Sequence, residues 1–240
     1  MEVSIRHPFP IHGERLFFSA LAGSMLIAVL IGFAPSYYLR PLSPAGAWPH
    51  GLTPLIHLHG IVFSAFILLF MVQVGLIAGD RRDLHRRLGV AGLPLVLLMI
   101  ALGIVTALAQ VARRSGPPVV DALSWLAMPL ASVLGFGVLF LLALRFRTRA
   151  GAHKRLMVLG MAAMLSAAFG RIAAIPPFLA LLVLPNLYAA ALAAWDIAST
   201  RRVHPATLWG GLLVLITTIG PIFFWRTPAW LSFAHWATGA

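Results

Sequence analysis

Residues 84–114 read LHRRLGVAGLPLVLLMIALGIVTALAQVARR, and this stretch decides the fold. No charged side chain occurs from Leu88 to Ala112, a run longer than the about 20 apolar residues a helix needs to cross a bilayer. Arginines close it at both ends. Its apolar residues are continuous rather than alternating, which excludes a barrel strand.

Outward from this stretch the pattern recurs. Seven spans are expected, at about 16–38, 54–79, 88–110, 122–145, 154–174, 177–198 and 205–225. With a mean hydropathy of +0.93, no part of the chain is polar enough to form a separate soluble domain. The expected fold is all-α and polytopic: residues 1–240 form one seven-helix transmembrane domain. The first span is too long for the h-region of a cleaved signal, about 7–15 residues, and no small-residue cleavage site follows it. Residues 228–238 read as an interfacial helix anchored by Trp230, Phe233 and Trp236. There is no cysteine, so disulfides, thiolate metal sites and iron–sulfur clusters are excluded.

The net charge of +12 follows membrane topology, not nucleic-acid binding. With the N-terminus in the cytoplasm, the inner side collects Arg6, Arg15, Arg81, Arg82, Arg86, Arg87, Arg145, Arg147, Arg149, Lys154, Arg155, Arg201 and Arg202. The outer side keeps Arg40, Arg113, Arg114, Arg171 and Arg226. That is the positive-inside bias, with anionic lipid headgroups as the counterions and the C-terminus outside. The seven tryptophans, Trp48 among them, fall at span ends as an aromatic belt does. The outer segment at about 39–53, with Pro41, Pro44 and Pro49, reads as a cap over the bundle.

Histidine is costly in lipid and is the commonest metal ligand. His85, His153 and His204 each open a span beside arginines on the inner side, while His57 and His59 open one from the outer side. His57 and His59 lie about 200° apart on a helix and cannot chelate one ion. His57 shares a face with Gly60 and Ser64; His59 shares one with Phe63, Phe66, Phe70 and Gln73. His85 is expected on one stripe with Gly89, Gly92 and Val96. His153 is expected at one end of an uninterrupted stripe through Met157, Gly160 and Met164 to Arg171, about five turns on. Asp196, Asp80 and Asp83 share the inner side, and a carboxylate can orient a ligating ring. The competing reading is that these histidines meet only lipid phosphates at helix N-termini. The Met residues raise Cu(I), though thioethers at helical spacing more often fill a core.

Arg171 is the one charge read as intramembrane, with Asp121 as its acidic partner or an anionic ligand such as a haem propionate in that role. Thr217 and Thr218, next to the kinking Pro221, are candidate cavity liners. No carboxylate stands at midplane, and no hydrolase or phosphate-loop motif occurs. Leu84–Gly92 and Ala152–Gly160 share His, a basic pair, Leu, Val and Gly in register, which suggests a parallel repeat.

Four motifs carry a resemblance over nearly the whole chain: His57 to Gly60, Leu84 to Gly89, His153 to Met157 and His204 to Gly210. By these the chain resembles small, uncharacterised bacterial seven-helix inner-membrane proteins, a family with no settled activity. The helix-start histidines are also similar, in part, to di-haem cytochromes of the b561 type, which pair histidines deeper inside facing helices. That likeness implies haem b, or a transition metal, and electron transfer. His85 and His153 would be the inner axial pair, with His57 or His59 and Arg171 at an outer site. His204 and Asp196 complete a metal set with His85 and His153. The alternatives are a transporter or channel for a small anion, metal or lipid, and an accessory subunit packed on a membrane-protein partner. Each places the chain in a bacterial inner membrane.

Overall fold

The computed structural model describes residues 11–44, 46–47, 51–117 and 120–239. Readings that rest on Glu2, Arg6, Trp48 and Pro49 lie outside the described residues. All regular structure among the described residues is helical: α1 (Ile11–Phe33), α2 (Pro54–Ala78), α3 (Arg82–Gly89), α4 (Gly92–Arg113), α5 (Ala122–Trp125), α6 (Ala127–Arg145), α7 (Ala150–Met164), α8 (Ser166–Phe169), α9 (Leu184–Thr200), α10 (Pro205–Phe224) and α11 (Pro228–Thr238). Wider π-turns extend α1 through Ala34–Tyr38 and precede α9 at Leu179–Val183.

Six helical stretches among the described residues are long and apolar enough to cross a membrane: His12–Tyr38, Pro54–Ala78, Gly92–Arg113, Ala122–Arg145, Leu179–Thr200 and Pro205–Phe224. This is the make-up of a multi-pass membrane protein. The segment read as the fifth span is instead two pieces, α7 of 15 residues and α8 of 4, with the helix interrupted at Leu165. α7 runs through the middle of the bundle. Leu156, Val158, Leu159, Gly160, Met161, Ala162 and Ala163 are all buried in it.

Local chemistry sets several helix starts. Thr53 caps α2 by accepting the Ile56 N–H, with Pro54 in the first turn, as a threonine–proline pair should. Thr227 caps α11 in the same way, ahead of Pro228. α11 is then fixed by Trp230, whose indole N–H donates to the Leu123 carbonyl at 3.0 Å. The core centres on Phe66, Phe136 and Phe140, with Phe66 edge-on to Phe136 at 5.3 Å. Met161 is buried there and Met157 and Met164 pack against it, so the methionines are core filling. Glycines let the helices close. A Cβ on Gly210 would stand 2.7 Å from Leu159 Cδ1, and one on Gly60 would stand 2.4 Å from the Tyr37 ring.

Two stripes read from the sequence do not exist as single helix faces. The third span is divided at Val90–Ala91, so His85 lies on α3, apart from Gly92 and Val96 on α4. α3 carries three arginines in eight residues and cannot continue into an apolar layer, so the chain turns before α4 begins. The His153–Arg171 face ends early, because α8 stops at Phe169 and Arg171 stands outside any helix. Just past the break the backbones of α1 and α8 touch, since a Cβ on Gly32 would run into the Ala168 carbonyl. The Leu84–Gly92 and Ala152–Gly160 echo likewise covers unlike local structures, one a helix that ends at Gly89 and the other the interior of α7.

Candidate functional site

Contacts across the bundle gather several helix ends at one pole, here called the basic end. Arg15 of α1 donates to Asp80 after α2 at 3.0 Å, Lys154 of α7 pairs with Glu14 of α1, and His153 meets the end of α6. Two histidines come together here. The rings of His85 (α3) and His153 (α7) have centroids 6.2 Å apart and stand nearly perpendicular, at 81°.

His153 Nδ1 lies 2.8 Å from the Ala143 carbonyl of α6. A carbonyl can only accept, so Nδ1 carries the proton and Nε2 keeps its lone pair. His85 Nδ1 is buried and has no partner, while the carbonyl of Gln73 acts on the same ring. A proton held on His85 Nε2 leaves Nδ1 as a second lone pair. Burial, then the neighbouring His153, then Arg86 hold His85 below the ordinary imidazole range, against the opposing pull of the Gln73 carbonyl. The neutral, ligand-competent ring is therefore the favoured form.

Sequence reading left Gln73 out of this site. Its side-chain oxygen is buried without a partner, and its amide nitrogen would lie 3.5 Å from a Cβ on Gly89 of α3. The legible signal was an amide on the same α2 face as His59, in an otherwise apolar helix.

The structure does not bring His204 and Asp196 to this pair. Among the described residues, no three of His, Asp and Glu converge in a way that could hold a metal ion. Asp196 of α9 is fully buried, and protein donors occupy both of its oxygens. Arg155 of α7 donates through Nε at 2.9 Å and through Nη2 to Oδ1; Thr207 Oγ1 donates at 2.6 Å and the His204 N–H at 3.0 Å to Oδ2. Arg155 also donates to the Gly151 carbonyl at 2.8 Å. His204 caps α10, its Nδ1 accepting the Ala206 N–H at 3.0 Å. Burial first, then Arg155 and Lys154, hold its imidazole below the ordinary range against the opposing Asp196 charge. This cluster locks α7, α9 and α10 together. Arg155, its central cation, appeared in the sequence only as one more inner-side charge.

The far end holds the other predicted residues. His57 is exposed; its carbonyl accepts the Tyr37 hydroxyl at 3.2 Å, and Ser64 on the same face meets the Tyr38 hydroxyl at 2.7 Å. This face therefore packs against the end of α1. His59 stacks on Phe63 at 3.9 Å, and its Nδ1 is buried without a partner. The Arg171 charge bears on that ring. Arg171 itself donates to the Ala167 carbonyl and lies 4.5 Å over Phe33.

Asp121 is not its partner. That carboxylate caps α5 by accepting the Ser124 N–H at 2.8 Å and faces Arg226. Thr217 and Thr218 are buried and donate to carbonyls one turn back, with Asn186 donating to Thr218.

Compared with known proteins, the chain matches no family model, no curated relative and no solved structure.

Proposed function

We propose that this multi-pass membrane protein binds a redox-active metal centre, a haem iron or a bare transition-metal ion, between His85 and His153 at its basic end. One observation carries the reading: two imidazoles from separate helices meet at 6.2 Å, with His153 tied through Nδ1 to the Ala143 carbonyl and His85 Nδ1 buried without a partner. A backbone carbonyl on the far nitrogen is the usual outer support of a ligating histidine, fixing its tautomer and orientation. Paired imidazoles suit haem b, and imidazole equally suits copper or iron as a bare ion. When bound, the centre supplies one-electron chemistry. The chain's part would be to present His85 Nδ1 and His153 Nε2 and to hold the His85 ring neutral, with the Gln73 side chain close to α3 at Gly89.

In this reading α7 and α8 complete a seventh crossing through the middle of the bundle, with the N-terminus in the cytoplasm of a bacterial inner membrane. The arginines of the basic end then rest on anionic lipid headgroups, and electrons pass to or from a membrane-protein partner. The helix-end histidines account for the likeness to cytochromes of the b561 type.

The test is the absorption spectrum and metal content of the full chain purified in detergent, before and after incubation with haem or with Cu or Fe salts. A Soret band with a sharp reduced α-band, or one equivalent of metal, is expected, and His153→Ala should lose it. A colourless, metal-free protein after both incubations overturns the proposal. A full load of metal in the alanine variant does so as well.

A further inference from the structure

We propose a lipid site, independent of the metal reading: one acyl chain of a phospholipid lies in an apolar groove beneath α11, between α4 and α6.

The groove follows from the way three helices meet. α4 and α6 close on each other at Gly103 and Val133, where a Cβ on the glycine would stand 2.7 Å from Val133 Cγ2. Beside that seam, Ile104 and Leu108 of α4 and Leu130 and Leu134 of α6 form the two walls of a valley. Phe233 and Trp236 of α11 close it from above, and these side chains line a cavity of about 600 Å³.

α11 is a fixed roof. Its 11 residues are too few to cross a bilayer, and it is fastened to α4 and α5 at the far end of the bundle. Trp230 donates to the Leu123 carbonyl at 3.0 Å, and Ala234 is buried with Ala107, Val111 and Leu126. Phe233 and Trp236 hold each other, with ring centroids 6.0 Å apart.

Lining, size and surroundings decide the occupant. No lining side chain is ionisable, and the one polar atom among them is the Trp236 indole nitrogen. A helix is about 10 Å across and rises about 5.4 Å per turn, so the cavity holds less than two turns of one. It takes a thin chain, not a partner helix. The groove is open where Leu134 is 56% and Trp236 is 81% exposed. From Leu134 the same face of α6 continues through exposed Val138 and Leu141, and Val105 is exposed beside Ile104 on α4. Apolar residues exposed on membrane-crossing helices meet lipid tails, so the groove is an inward extension of the lipid-facing surface. Tryptophan favours the headgroup level. A Trp236 rim therefore sets the mouth where ester-linked chains begin, which commits the site to a phospholipid. Lipid tails are as apolar as the groove, so no hydrophobic force holds the chain there. Van der Waals contact with preformed walls does, and it makes this one molecule slower to leave than its neighbours.

The experiment uses the full chain purified in a mild detergent, washed free of surrounding lipid and read by native mass spectrometry with extraction of what stays bound. One phospholipid per chain is expected. Leu134→Trp puts an indole into the groove and should cut retention about tenfold. Ile216→Trp, at a similarly exposed position of α10, should leave it unchanged. If Leu134→Trp fails to fold, the unaltered chain decides after a harsher wash has stripped it. Its melting temperature should then rise and saturate at one equivalent of added phosphatidylethanolamine. No retained lipid, no saturation at one equivalent, equal retention in Leu134→Trp and the unaltered chain, equal loss in both tryptophan variants, or a bound molecule without ester-linked chains overturns the proposal.

Discussion

The His85–His153 pair and the Arg155–Asp196–Thr207–His204 cluster stand at the same end of the bundle and are built from the same sequence motif, a histidine opening a helix beside basic residues. Their polar atoms are disposed in opposite ways. In the cluster every oxygen of Asp196 has a donor, and the His204 Nδ1 is used as a helix cap. In the pair, His153 is tied through Nδ1 alone, and His85 Nδ1 and Gln73 Oε1 are buried and unpartnered. Buried polar groups are normally satisfied, because leaving one bare costs about 1–3 kcal/mol. A satisfied cluster is a fastening, and an unsatisfied pair is where a ligand has something to offer.

The sharpest way to break this contrast is Asp196→Ala. It strands Arg155, a cation only 5% exposed, and should destabilise the protein by about 3–5 kcal/mol. A melting curve in detergent reads this directly, and a shift no larger than that of a surface substitution would remove the fastening role. Thr207→Val takes away one hydrogen bond to the same carboxylate and should cost about 1.5–3 kcal/mol, with metal or haem content unchanged. His153→Ala reverses the pattern. Losing the 2.8 Å bond to Ala143 should cost about 0.5–1.5 kcal/mol, while the proposed centre should no longer bind.

The smallest effect is in pH, where the two regions agree in sign. Both His85 and His204 lie below the ordinary imidazole value, so folding favours their neutral forms. Their contribution is fully present above about pH 6.5 and is lost as pH falls toward the depressed values. Melting temperature should therefore drop on acidification from about pH 7.5 to 5. His204→Asn keeps an N-capping oxygen and removes one titrating ring, so it should flatten that slope without lowering stability at neutral pH. An unaltered slope would assign the acid sensitivity to other groups.

Much of the fold was legible in advance. Thr53 and Pro54 announced the start of α2, and the interfacial helix expected at 228–238 is α11, with the same bounds. The faces of α2 were also readable, since His59, Phe63, Phe66 and Phe70 do turn inward together, with Phe66 and Phe70 buried. The candidate site was legible only in part. His85 and His153 meet, yet not through the stripes that suggested it, because each stripe breaks where the helix does. Nothing at Leu165 marks a break: no proline or glycine stands there, and the backbone of α1 that meets Ala168, at Gly32, is brought to it by folding and not by local pattern.

Composition and periodicity alone determined that the chain is helical, that most of its helices are long and apolar enough for a bilayer, and that its histidines stand at helix ends. These follow from one-dimensional facts: the length of an apolar run, the position of a cap, the place of a charge relative to both. Tertiary structure alone decided which histidine faces which, that Asp196 takes Arg155, Thr207 and the His204 N–H as donors, and that Gln73 stands near α3. Partnership between buried polar groups depends on distances of a few ångströms across separate helices, and no spacing along the chain encodes those.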